Sequence, residues 1–206
     1  DSKELNELVA FCHKHNLTII SDEIHAGLIL DEDKTHTVTA NLPDAADISV
    51  TLLSASKTFN MPGLGCAYAV VKNPTLRNKL KKVMNGIVHH VGALGYTATL
   101  AAYKEGKPWH AALVNYLRLN RDYVEGDLSA HDQLTVYHSE ATYLTWIDAR
   151  RMNVDNPSTY FEQFGIGLYD GAPFGAPGFL RLNFACPQSV LREAIQRINK
   201  GLEALT

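Results

Sequence analysis

The chain has 206 residues, 46% of them hydrophobic and 20% charged, with a formal net charge of −3 at pH 7. These proportions describe a core-forming chain of one or two domains and exclude a disordered segment. They also lack the clustered basic excess of a nucleic-acid surface, and no apolar run reaches membrane-spanning length.

Asp1 and Glu4 have capping-box spacing, and Leu5, Leu8, Val9 and Cys12 recur at helical intervals. Together they predict a helix over 2–15, ended by Asn16. The apolar run 17–20 reads as a strand that finishes on Ser21-Asp22, and a long connection leads to a second strand over 48–53. A third strand over 65–71 closes at Lys72-Asn73-Pro74. The link between the second and third strands holds Pro62-Gly63 and is too short for a helical crossover, so antiparallel pairing is expected, with Lys57 on the intervening loop.

Helical patterning then runs from 74 to 128, with breaks near Gly86, Gly92 and Gly106-Lys107-Pro108. The basic stretch 77–82 reads as the solvated side of a helix. Short strands over 134–137, 142–147 and 179–184, with a helix over 158–164, indicate a change to an α+β unit. Pro187 opens a last helix whose Val190, Leu191, Ile195, Ile198, Leu202 and Leu205 share one face.

The three cysteines are far apart and form no C-x-x-C pair, so buried free thiols are expected rather than disulfides or zinc ligands. Nine histidines are present, but the adjacent His89 and His90 would point about 100° apart on a helix and make poor joint ligands, so no metal is expected. The first residues lack the charged-then-apolar pattern of a signal peptide, and a cytoplasmic protein is expected.

Lys57 and Asp22 carry the chemistry. Each follows an apolar run, and an acid and an amine at the ends of two strands suggest one site at the carboxyl edge of an open α/β sheet, where such folds place ligands. A lysine there is costly unless its amine is paired, deprotonated or covalently used.

Three stretches in this order, Ser21-Asp22-Glu23-Ile24-His25, Ser54-Ala55-Ser56-Lys57 and Phe179-Leu180-Arg181-Leu182-Asn183-Phe184-Ala185-Cys186-Pro187, resemble the pyridoxal-phosphate enzymes of the class I/II aminotransferase family. Within it they are most similar to the MalY/PatB-like cystathionine β-lyase (C–S lyase) branch. The resemblance covers essentially the whole chain. It implies the C-terminal part of a fold type I α/β large domain over 1–112, with a mixed, mostly parallel sheet, and a small α+β C-terminal domain over 113–206. Proteins of that family are considerably longer, so a C-terminal portion of a longer enzyme is expected, one that forms a homodimer when full-length and takes a small amino-acid substrate.

The resemblance also implies roles. Lys57 is the amine that carries pyridoxal 5′-phosphate (PLP) and then removes the substrate α-proton. Asp22 faces the pyridine nitrogen and keeps it protonated. His25 stands where many aminotransferases have a tyrosine that hydrogen-bonds the phenolic oxygen. Ser54 and Ser56 serve the phosphate, with Ser54 the better match, and Arg181 takes the substrate carboxylate. Glu23 points elsewhere. Gly65 stands where many aminotransferases carry a phosphate-clamping arginine. The Gly/Pro-rich stretch 171–178 precedes a strand and so is not a dinucleotide fingerprint, and Phe174 and Gly175 shape the wall beside the substrate. Tyr143 reads as core. The implied reaction is α,β-elimination on cystathionine or a cysteine S-conjugate to thiol, pyruvate and ammonia. Amino-acid transamination is the alternative, and an inactive fragment or a regulatory protein-binding module the further ones.

Overall fold

A computed structural model describes residues 1–205. The chain divides into two compact units, the first formed by Asp1–Gly27 and Thr35–Ala111, the second by Leu28–Lys34 and Ala112–Thr206.

In the first unit, α1 (Ser2–Lys14) is started by Asp1, whose side chain accepts from the Lys3 and Glu4 amides. Asn16 ends the run at φ 52°, a left-handed conformation that asparagine tolerates. Val9 and Cys12 of α1 bury against Ile19 and Ala45 to form a small core. Strands β1 (Ile19–Asp22) and β2 (Ser49–Ser54) are parallel, with Ile19 opposite Ser49 and Asp22 opposite Leu52. β3 (Ala67–Val70) returns antiparallel to β2, as the short link demands. The sheet is therefore mixed, order β1-β2-β3, but with one ladder of each kind rather than mostly parallel. Lys57 does not lie on a loop: Ala55–Thr58 close one helical turn, α2, because the Ser54 side chain caps the Ser56 amide.

Three helices follow. α3 (Pro74–Met84) is capped by Asn73, and its basic residues are exposed; α4 spans Ala93–Glu105 and α5 Lys107–Leu128. The Gly106 break is narrow, since α5 begins at the next residue.

The second unit holds the larger core. Its sheet has the order β4-β5-β7-β6, with β4 at Thr135–Tyr137, β5 at Leu144–Asp148, β6 at Tyr169–Asp170 and β7 at Phe179–Asn183, all antiparallel. The two-residue β6 leaves no periodicity to read. β5 begins later than the sequence pattern suggests because Thr142 sits at φ 70°, where a strand cannot continue, while its amide bonds Leu28 O at 2.7 Å. Thr145, Ile147, Leu180 and Leu182 alternate inward and are buried. Against them pack α6 (Pro157–Glu162), through Phe161, and α7 (Gln188–Glu203), through Leu191, Ile195, Ile198 and Leu202. Val190, expected on that face, is 53% exposed. Residues 28–34 join this unit because Leu28 and Leu30 are fully buried in its core and the Leu30 and Asp31 amides donate to Glu140 O. Among the described residues no helix is long and apolar enough to cross a membrane.

Candidate active site

Parallel β1 and β2 end on the same edge of the first sheet, and that edge carries Asp22, His25, Ser54, Ser56 and Lys57. Asp22 closes β1 with an exposed carboxylate whose Oδ1 accepts one long bond, 3.3 Å, from the Ile24 amide. Lys57 is half-buried on α2 and, among the described residues, forms no hydrogen bond or ion pair. His25 follows in the turn after β1. Burial lowers its pKa below the ordinary imidazole value, the Lys57 charge lowers it further, and the Asp22 carboxylate opposes both. The ring is therefore neutral at neutral pH, and its response to both charges puts the three groups in one electrostatic neighbourhood.

Glu23, next to Asp22, is buried and turned away. Burial raises its pKa, but bonds from His36 (2.8 Å), the Thr39 amide (3.0 Å) and Ser21 (2.9 Å) outweigh this and keep it below the usual glutamate value. Glu23 thereby ties 36–39 to the strand end and contributes no free charge to the edge.

The serines are not equivalent. Ser54 Oγ bonds Cys66 O at 2.7 Å, contacts Ser56 Oγ at 2.9 Å and accepts from the Ser56 amide at 3.1 Å. Its single proton is used inside the chain when it goes to Cys66 O, which leaves the Ser56 proton as the one available to an anion. Gly65 sits at φ 54° after the 3₁₀ turn Pro62–Leu64, a conformation that disfavours any side chain there.

Two supports of this edge escaped the sequence reading. A β-carbon on Gly27 would lie 2.7 Å from Thr58 Oγ1, so only glycine lets the His25 turn approach α2 so closely. His110 on α5 hydrogen-bonds the Gly27 carbonyl and, with Trp109 and Tyr103, packs around Phe59. A histidine inside a helical run gives no sequence signal for such a long-range tie. A cavity of about 230 Å³ is lined by Gly27, Ser54, Thr58, Phe59, Tyr103 and His110. Another of about 250 Å³, lined by residues of 12–18 and 73–79 among others, holds none of the candidate groups.

Arg181 lies in the second unit, on β7, opposite Trp146 on one side and Tyr169 on the other. Its Nε is buried without a hydrogen-bond partner among the described residues. Tyr143, whose pKa burial raises, packs at the margin of the core. Cys12 and Cys66 are buried thiols, and burial raises the pKa of Cys186. Among the described residues no group of three or more His, Cys, Asp or Glu could hold a metal ion.

The donor set at the first edge suits a ligand with a carbonyl carbon for the Lys57 amine and a ring nitrogen for the Asp22 carboxylate. The sequence pattern described as "Aminotransferase class I and II" matches residues 1–198. Cystathionine beta-lyase PatB of Bacillus subtilis (strain 168) is 33% identical over 97% of this chain and 54% of its own. Among solved structures, OvoB superposes with a TM-score of 0.96 at 41% identity, over 98% of this chain and 54% of that one. Cystalysin from Treponema denticola, a structure described as containing pyridoxal 5′-phosphate, superposes with a TM-score of 0.92 at 31% identity, over 100% of this chain and 54% of that one. The chain thus spans about half the length of the relatives it matches.

Proposed function

Because the chain belongs to the class I and II aminotransferase family, we propose that it is the lysine-bearing C-terminal part of a PLP-dependent C–S β-lyase. The reaction is elimination from cystathionine or another cysteine S-conjugate to give a thiol, pyruvate and ammonia. One observation carries the reading: Lys57, a half-buried amine with no hydrogen bond or ion pair among the described residues, shares a strand edge with the exposed Asp22 carboxylate and the His25 ring. The lyase names of relatives such as PatB favour elimination over transamination.

PLP, when bound, draws electron density away from the substrate α-carbon. Lys57 Nζ would hold the cofactor through its aldehyde carbon and, as the free amine, would take the proton from the substrate α-carbon. The Asp22 carboxylate would keep a proton on the ring nitrogen by its negative charge. An N–H of His25 would reach an oxygen on that ring, and the Ser56 hydroxyl, positioned by Ser54, would hold the phosphate. Arg181 takes the substrate carboxylate through its planar fork. We assign 1–112 to the large domain, apart from the segment 28–34 that packs in the second unit's core, and 113–206 to the small one, in a cytoplasmic homodimer; light scattering and cell fractionation test the last two.

The full-length protein should be yellow, with a visible band fixed by borohydride in the wild type and absent from Lys57→Ala. A colourless wild type that takes up no PLP sinks the reading. Pyruvate release from cystathionine without a keto-acid acceptor supports the lyase, and strict dependence on an acceptor makes the protein an aminotransferase.

A further inference from the structure

The Arg181 guanidinium lies against two aromatic rings. Its guanidinium carbon lies over the Tyr169 ring at 4.6 Å and over the Phe174 ring at 4.7 Å. Among the described residues it has no hydrogen bond and no ion pair. Arg150 shows the alternative nearby: it lies over Phe179 at 4.8 Å, yet its Nε and Nη2 bind Asp148 at 3.0 and 2.7 Å. Its donors are consumed and its charge is neutralised, whereas those of Arg181 are not.

The physical difference decides what each arginine can do. A cation over a ring is attracted through its flat face, while the N–H donors of a guanidinium lie in its plane and point outward from the rim. Rings therefore steady the group without occupying the donors that a carboxylate needs. A carboxylate neighbour would have steadied it by using them.

The rings are themselves fixed. Tyr169 is the cross-strand neighbour of Arg181 on β6, although 63% of it is exposed. Phe174 ends a 3₁₀ turn whose base is closed by Gly171 N to Phe179 O at 2.8 Å and Ala176 N to Gly171 O at 3.1 Å. Gly171 admits this closure because a β-carbon there would lie 2.4 Å from Ala176 O. Trp146, the other cross-strand neighbour, meets Phe174 edge-on at 6.0 Å.

We propose that Tyr169 and Phe174 are positioning residues that hold the Arg181 guanidinium with its terminal N–H groups free for the substrate carboxylate. This rests on the reading of Arg181 as the carboxylate site. Calorimetric titration of the full-length, PLP-loaded protein compares L-methionine with 3-(methylthio)propylamine, the same thioether amine without its carboxylate. Tyr169→Leu and Phe174→Leu each weaken methionine about two- to fivefold, the double variant compounds the losses, and the amine is unaffected. Tyr169→Phe, which keeps the ring, binds methionine as the wild type does. If Arg181→Gln weakens methionine but the double leucine variant does not, the positioning role is overturned and the carboxylate site stands. If Arg181→Gln leaves methionine affinity unchanged, the carboxylate site itself is overturned. Equal weakening of methionine and the amine by the leucine variants also overturns the positioning role.

Discussion

Gly27→Ala puts a methyl group where Thr58 already stands. The added carbon would lie 2.7 Å from Thr58 Oγ1 and 2.9 Å from its Cγ2, both inside van der Waals contact. Gly27 is not among the residues with positive φ, so the backbone does not object, and alanine would otherwise stabilise by about 0.4–1 kcal/mol through the unfolded chain. Overpacking costs about 1–3 kcal/mol, which leaves a net loss of up to about 2.5 kcal/mol. The relief falls on α2, because His110 holds the Gly27 carbonyl while Thr58 belongs to a single helical turn that also carries Lys57. A misplacement of about 1 Å at a reacting group costs about a hundredfold in rate, so activity should fall further than stability. Truncating Thr58 to alanine leaves only its β-carbon, at 3.4 Å, an ordinary contact. Urea unfolding and pyruvate release are therefore measured for Gly27→Ala, Thr58→Ala and the double variant of the full-length protein. The double variant should recover about 1 kcal/mol or more relative to the sum of the singles. A single Gly27→Ala variant as stable and active as the wild type, or no recovery in the double, refutes the close-packing account.

Two further outcomes follow from the ion cluster that secures 28–34 in the second unit. His138 gives Nδ1 to Glu125 at 2.7 Å and Nε2 to Asp31 at 3.0 Å, and these bonds, that to Glu125 first, raise its pKa above 6.5 against a smaller effect of burial. A raised histidine pKa contributes stability that is fully present below the unfolded value and is lost as pH rises through the folded one. Wild-type stability should accordingly fall toward that of His138→Ala as pH climbs above about 6.5; a gap that stays constant with pH, or an NMR titration midpoint below that value, contradicts the assignment. Arg121, 6% exposed, is paired with Asp31 and Asp122 and donates to Ser139 O. Arg121→Met should lower the unfolding free energy by about 3 kcal/mol, and a loss under about 1 kcal/mol in urea titration would show the pair to be dispensable.

What was legible in the sequence follows from the range of the forces involved. The capped α1 and the antiparallel return of β3 were readable because caps and link length are local. So was the shared edge of Asp22 and Lys57, since parallel neighbours must end on the same side. Other features were hidden by distance. Residues 28–34 leave the first unit because Leu28 and Leu30 bury in a core made mostly by residues beyond 112, and a short apolar segment does not announce which core it enters. The turn at Lys57, the left-handed Thr142 and the two-residue β6 are each shorter than any period that could reveal them.

Two groups of ionisable residues in this chain differ in how their charge is met. Glu23, Asp31, Arg121, Glu125, His138 and Asp148 are tied by hydrogen bonds or ion pairs within their own unit, and each fixes a segment in place. Lys57 and Arg181 have no such partner among the described residues, and Asp22 has a single long bond. Leaving a half-buried charge uncompensated costs stability, so the fold restrains these groups by means that spare their charge: close packing of Gly27 on Thr58 beside Lys57, and aromatic rings against Arg181. A charge held for structure would gain from a counter-ion at either place. One held for a ligand with its own aldehyde or carboxylate loses by it, because an internal partner must be displaced before the ligand can bind.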